Sequence, residues 1–411
     1  MPPATTLQLD EIRAAFPALE RVQNGHPVAY FDGPGGTQVP TPVTQAVEDY
    51  LLRHNANTHW AYPSSAETDA ILERAKRTLA AFLGGTPREI AFGANMTSLV
   101  YHFTRSLAPG LERGDELVTT RLDHQANVAP WHRLARETGA TIRTVPFDPA
   151  TGHLDMQAFA DAIGPRTRWI AVGAASNALG TINDVAAIRS LADEVQARVF
   201  VDAVHYAAHH RIDAAVMGAD VVACSPYKFY GPHMGVVRVS SEVLAELDPP
   251  RLPCAGSAGA EILETGTLSH EGIAGSAAAV EFIADLSHAE GDPARRLDAA
   301  FALLERRGAE VAARMGEGLG SIDGVTVFGP PADGARTTTF GFTVRGRDSE
   351  SVTRRLAEEH GVFTSHGDFY ATTVIEDLPV GPDGLVRAGA ACFTTDDEID
   401  RLVAGVEALV R

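Results

Sequence analysis

The sequence predicts an α/β protein, with a mainly parallel seven-stranded sheet in a large domain and a smaller α+β C-terminal domain after it. Three observations predict it. Seven short β-rich runs alternate with helical patterns between residues 90 and 240. Two of those runs, WIAVGA and VFVDAV, are continuously apolar, as strands buried on both faces are. From about Ala274 onward the chain turns rich in Ala, Leu, Arg and Glu at helical spacing, which marks a change of domain.

In chain order the candidate strands are EIAFGA, DELVTTRL, TIRTVPFD, RWIAVGAAS, RVFVDAV, DVVACS and GVVRVS. Residues 97–106, 127–138, 155–163 and 184–196 carry apolar residues at helical spacing, some of them opened by Asp or Thr caps, and would cover both faces of the sheet. One helical stretch is expected to run from 274 through to 319. Beyond it come strands near VTVFG and TTTFGFTV, a helix over Ser349–His360 and a closing helix over Asp396–Val410. The large domain is drawn over 30–283, and the small one over 1–29 and 284–411. DGPGGTQVPTP, near the start, reads as a tight loop where backbone must approach something.

Composition narrows the function. With 411 residues, 45% of them hydrophobic and 21% charged, the chain can bury a deep core. A net charge of −19 repels nucleic-acid phosphate and anionic lipid, so no nucleic-acid or membrane partner is expected. Cys224, Cys254 and Cys392 lie too far apart for a disulfide framework or a thiolate zinc cage. The opening MPPATTLQLDEIR lacks a basic start followed by an apolar run, which argues against a secretory signal and for the cytoplasm.

Two charged residues stand out. Lys228, in SPYKFYGP, closely follows an apolar strand, at the sheet edge where open α/β folds bind ligands. A solvated loop lysine fits that segment equally well. Asp202 ends the apolar strand VFVDAV; it is either exposed beyond the sheet edge, held by a charged partner, or a cap for the next helix. A lysine and an aspartate on successive strand ends are what a pyridoxal phosphate enzyme requires. The lysine forms the Schiff base, and the acid keeps the ring nitrogen protonated. AFGANMTSLV adds a strand, a turn and a helix start with Met96, Thr97 and Ser98, suited to a dianionic phosphate.

TRLDHQANVAPW, SNALGTIN, FVDAVHY, SPYKFYGP and ETGTLSHEG occur in that order. Together they resemble the class V aminotransferases, in the group II cysteine desulfurase-like branch, from about Tyr30 to the C-terminal helix. The resemblance implies fold type I, pyridoxal phosphate on Lys228, and a homodimer with active sites at the subunit interface. It gives His124 the role of stacking on the pyridine ring and shuttling protons, and gives Asn177 the phenolic oxygen. Thr97 and Ser225 become phosphate ligands, and Thr267 the phosphate contact from the neighbouring subunit. Arg387, in GLVRAGA, matches the clamp for the substrate α-carboxylate, a planar anion that an arginine fork suits.

The departures bear on the reaction. The branch's usual glutamine is here His205, and the histidine before the Schiff-base lysine is here Tyr227; both can still hydrogen-bond the cofactor. In GVFTSHGDFYA, aligned by its flanks, Tyr370 stands where desulfurases of the branch present a persulfide-forming cysteine. By resemblance His59, Tyr62, His124 and Tyr370 surround the substrate. The chemistry expected is therefore carbon-sulfur lyase action, a β-elimination on a cysteine-type amino acid, without a protein persulfide. Transamination, epimerisation and decarboxylating deamination are the alternatives, and a non-catalytic partner protein is a remote one. HYAAHH, with His205, His209 and His210, looks metal-like, but no glutamate follows its first histidine as in zinc proteases, so no metal is expected.

Overall fold

The structure is a computed structural model and describes residues 6–254 and 258–410. All seven expected strands form: β1 (Ile90–Gly93), β2 (Glu116–Thr120), β3 (Thr141–Val145), β4 (Thr167–Gly173), β5 (Arg198–Asp202), β6 (Val221–Cys224) and β7 (Gly235–Val239). They make one sheet in the order β1-β7-β6-β5-β4-β2-β3. Only β7 runs antiparallel to its neighbours. The apolar runs explain the centre of this order, because strand residues alternate between two covered faces. Ile170, Val172, Val199, Val201 and Val222 enter one buried cluster, while Ala171, Phe200, Val221 and Ala223 enter the other.

The connecting helices are Met96–Leu107, Ala129–Thr138, Met156–Ala162, Val185–Val195 and the short Ala214–Met217. Asn95, Asp155 and Asp184 cap three of them, each accepting a backbone N–H with its side chain. The stretch expected to begin at 127 starts instead as a tight 3-10 turn, Gln125–Asn127. Three further α-helices, Leu9–Ala14, Thr41–Asp49 and Pro63–Leu83, precede the sheet.

The single helical stretch expected over 274–319 is two helices, His270–Asp285 and Pro293–Gly320. The break has a local cause. Gly291 takes φ +132°, Asp292 Oδ1 accepts the Arg295 N–H at 3.0 Å, and Pro293 occupies the first turn, so a new helix must start there. Beyond lies a four-stranded antiparallel sheet of β8 (Val325–Phe328), β9 (Thr339–Val344), β10 (Ser365–Gly367) and β11 (Leu385–Gly389), ordered β8-β9-β11-β10. Phe340 and Phe342 pack there with Met315, Leu356 and Val406 in a third cluster. Ala29–Tyr30 pairs in parallel with Val362–Phe363 in a separate two-stranded sheet, and Asp32 bridges Gly389 of β11, which ties the start of DGPGGT to the four-stranded sheet. Among the described residues no helix is long and apolar enough to cross a membrane.

Candidate active site

The carboxyl ends of β2, β4, β5 and β6 converge on one cavity. The turn after β2 brings Asp123 and His124, the turn after β4 brings Asn177, β5 ends in Asp202, and Ser225 to Lys228 follow β6 directly. Asp202 and Lys228 thus leave adjacent parallel strands, since Asp202 pairs with Ala223 in the ladder. Met96 and Thr97 close the cavity with the first turn of their helix, and His205 and Tyr227 complete its wall.

Burial sets the protonation states. It lowers the Lys228 ammonium to about 7, helped by the charge of Arg387 and opposed by Asp202 and Asp32. It raises Asp202 to about 6, against a hydrogen bond from the Val204 N–H at 2.9 Å and the charge of Lys228. His124 is held neutral, near 4, by burial and by Lys228 and Arg387; its Nδ1 accepts the Ala126 N–H at 3.0 Å. Lys228 Nζ donates to the Pro34 carbonyl and lies 5.0 Å from the Tyr227 ring centroid. The Tyr227 carbonyl accepts the Thr37 N–H at 3.0 Å, so the glycine-rich loop is fastened to the lysine turn.

Arg387 is buried on β11 beside this cavity. Its Nη1 donates to the Asn177 carbonyl at 2.9 Å and its Nε to Ser365 Oγ at 3.1 Å, with the guanidinium 4.1 Å over the Phe369 ring. Burial brings it down to about 9, still a cation at neutral pH. Tyr370 sits at φ +56° with its ring centroid 5.7 Å from that of His124, and its carbonyl accepts the Gln125 N–H at 2.7 Å.

The structure does not bring the remaining expected residues to the cavity of this chain. His59 and Tyr62 lie on the exposed loop before Pro63–Leu83, with His59 Nδ1 3.3 Å from Asp69. Thr267 is exposed and lines an open groove with Gly93, Ser98 and Leu268. Ser98 turns its hydroxyl back onto the cap, donating to Asn95 Oδ1 at 2.9 Å.

Two carboxylates escaped the sequence reading. Asp123 accepts the Gly173 N–H at 2.6 Å and the Thr120 hydroxyl at 2.9 Å; burial raises it to about 8, and the neighbouring charge of Asp202 adds to that. Asp32, in DGPGGT, is raised to about 6 by burial against the opposing charges of Arg387 and Lys228. A charged residue inside that glycine-rich loop, and an acid directly before His124, were the available signals.

The cavity fits pyridoxal phosphate. Asn177 Oδ1 is buried with no hydrogen-bond partner, while its Nδ2 donates to the Phe369 carbonyl at 3.0 Å. Ser225 Oγ accepts the Met96 N–H at 3.2 Å, which leaves the hydroxyl proton to donate toward a phosphate oxygen. Lys228 would carry the cofactor, Asp202 would face its ring nitrogen, and Thr97, Ser225 and the Met96–Leu107 helix start would take the phosphate.

Comparison with known proteins places the chain in a family. The sequence profile of class-V aminotransferases matches residues 29–402. A probable cysteine desulfurase of Halobacterium salinarum is 33% identical, over 98% of this chain and 96% of its own length. An aminotransferase-like protein of Gibberella zeae is 30% identical, over 98% and 99%. The apo structure of a cysteine desulfurase from Thermococcus onnurineus superimposes with a TM-score of 0.88 at 25% identity, covering 99% of each chain.

Proposed function

The chain belongs to the class-V aminotransferase family and is a pyridoxal phosphate-dependent enzyme, and from that premise we propose that it cleaves the carbon-sulfur bond of a cysteine-type amino acid by β-elimination, without a protein persulfide. One observation carries the reading: none of the described residues lining the cavity is a cysteine, and Tyr370 is what the neighbouring loop places beside His124. Cys224 is buried in β6 with its thiol pushed well above its usual range, Cys392 is buried and pushed up to about 12, and Cys254 is outside the cavity lining.

When bound, pyridoxal phosphate supplies an electron sink that labilises the bonds at Cα. Arg387 holds the substrate α-carboxylate and so fixes which Cα bond faces that sink. Lys228, near 7, is substantially unprotonated at neutral pH and takes the Cα proton at Nζ. Asp202, ionised above about 6, supplies the charge that keeps the ring nitrogen protonated. His124 offers a neutral, flat imidazole. A sulfur leaving group at Cβ then departs as a thiol, and the remaining fragment hydrolyses to pyruvate and ammonia.

The reading includes a homodimer, in which the exposed Thr267 of one copy completes the phosphate site of the other. Product analysis with L-cysteine and a thiol reductant tests the central claim. β-elimination releases pyruvate, whereas a persulfide route releases alanine. A requirement for a keto-acid acceptor would instead identify a transaminase.

A further inference from the structure

Of HYAAHH only His205 enters the site above; His209 and His210 have no part in its chemistry, and among the described residues no group of histidines, cysteines and carboxylates could hold a metal. Its histidines nevertheless line three successive spaces. His205 and Lys228 face the substrate cavity. His205, Lys228 and His209 also line, with Thr37 and Tyr230, a neighbouring space of about 10 Å³, room for a single water. His209 and His210 then line an open groove of about 530 Å³ together with Glu305. Lys228 and His205 therefore bound the first two spaces, and His209 bounds the last two.

The side chains along this line are close. The rings of His205 and His209 have centroids 5.4 Å apart, and His205 Nε2 is 3.1 Å from Thr337 Oγ1. His210 stacks on Tyr206 at 5.0 Å, and its Nδ1 is 3.4 Å from the Glu305 carboxylate. Burial keeps His205 and His209 neutral, with His209 near 3 and facing the charge of His210, while His205 also faces Lys228 and Arg387. A neutral imidazole carries one donor and one acceptor, so it can take a proton on one nitrogen while releasing one from the other.

We propose that His209 relays protons between Lys228 and solvent, through one water in the space it shares with His205 and out past the His210–Glu305 pair. The idea rests on Lys228 as the group that takes the Cα proton. That proton must leave Nζ while the substrate fills the front of the site. It passes from Nζ to that water, and from the water to one His209 nitrogen as the other nitrogen gives its proton to the groove. No electrons are transferred, and the reverse sequence returns a proton to Nζ. His209 touches neither substrate nor cofactor and is a relay residue.

The test follows exchange of the substrate Cα hydrogen for deuterium in the pyridoxal phosphate-loaded protein, by proton NMR, with an S-substituted cysteine or alanine. In His209→Ala the cofactor band and its response to the amino acid stay as in wild type, exchange slows at least tenfold, and free imidazole in the groove restores it. Exchange in His209→Ala at the wild-type rate overturns the relay alone. Absence of exchange in wild type with every amino acid overturns the role of Lys228, and the relay with it. Should His209→Ala not fold, His209→Gln has the same expected outcome, because an amide does not shuttle between tautomers. A crystal structure of the cofactor-free protein gives an independent reading: an ordered water within hydrogen-bond reach of Lys228 Nζ and His209 is expected, and a dry cavity contradicts the path.

Discussion

Arg387 Nη1 donates to the backbone carbonyl of Asn177 at 2.9 Å, which ties β11 of the small sheet to the turn after β4 of the large one. Under the proposed assignment, carboxylate binding by Arg387 and cofactor binding by Asn177 share this contact between the two sheets. The planar fork also donates to Ser365 and lies over Phe369, so its orientation is fixed before substrate arrives.

A lysine cannot reproduce that fork. Arg387→Lys is expected to raise KM about 50-fold, from the ~2–3 kcal/mol carried by a charge-assisted hydrogen-bonded pair. Steady-state kinetics check this, and an unchanged KM would remove Arg387 from the substrate site.

Asp202→Ala is expected to retain a coloured cofactor on Lys228 while losing about 100-fold or more in turnover, because an unprotonated ring is a poorer electron sink. Lys228→Ala instead shifts the absorption band. Comparing the spectra and rates of the two variants separates the roles; full turnover in Asp202→Ala contradicts the assignment.

Asp123 gives a pH signature. Its carboxyl lies at about 8 in the folded chain and near 3.8 as a free group, so between those values the folded state keeps a proton that the unfolded state has lost. The contribution of Asp123 to stability must fall as pH rises through that window. Asp32, Asp202 and Glu264 act in the same direction, while the lowered His124, His205, His209 and Lys228 act in the opposite one, so the signature is the comparison itself: wild type should lose stability relative to Asp123→Asn as pH rises. Melting temperatures of the cofactor-free proteins from pH 5 to 8 decide this, and parallel curves for the two proteins count against a protonated Asp123.

How much of this could be read in the sequence depended on whether the cause was local. The seven strands were legible because runs such as VFVDAV have no alternation to confuse, and Lys228 and Asp202 because charge at the end of such a run has few explanations. The break at Gly291, Asp292 and Pro293 was also local, yet the Ala and Leu rich texture on both sides concealed it. Asp123 and Asp32 were not legible, because what buries them comes from afar. Gly173 and Asn127 close around Asp123, and Arg387 reaches Asp32 from β11. His59, Tyr62 and Thr267 came by resemblance alone, and in one chain they stay outside the cavity.

Gly235 tests the phosphate end. A Cβ there would lie 2.3 Å from the Asn95 carbonyl carbon and 2.7 Å from the Met96 nitrogen, so Gly235→Ala must displace the start of the Met96–Leu107 helix. Overpacking of this kind costs about 1–3 kcal/mol. The expected result is a lower melting temperature together with about tenfold weaker retention of pyridoxal phosphate on dialysis. Gly110→Ala, where a Cβ meets nothing within 4 Å, serves as the control.

The central claim is tested most directly by following pyruvate against time when the pyridoxal phosphate-loaded protein is given L-cysteine and a series of S-substituted cysteines. The account predicts pyruvate release, stoichiometric with thiol, from at least one of them. Alanine in place of pyruvate, or amino-group transfer to a keto acid with no thiol released, would contradict it.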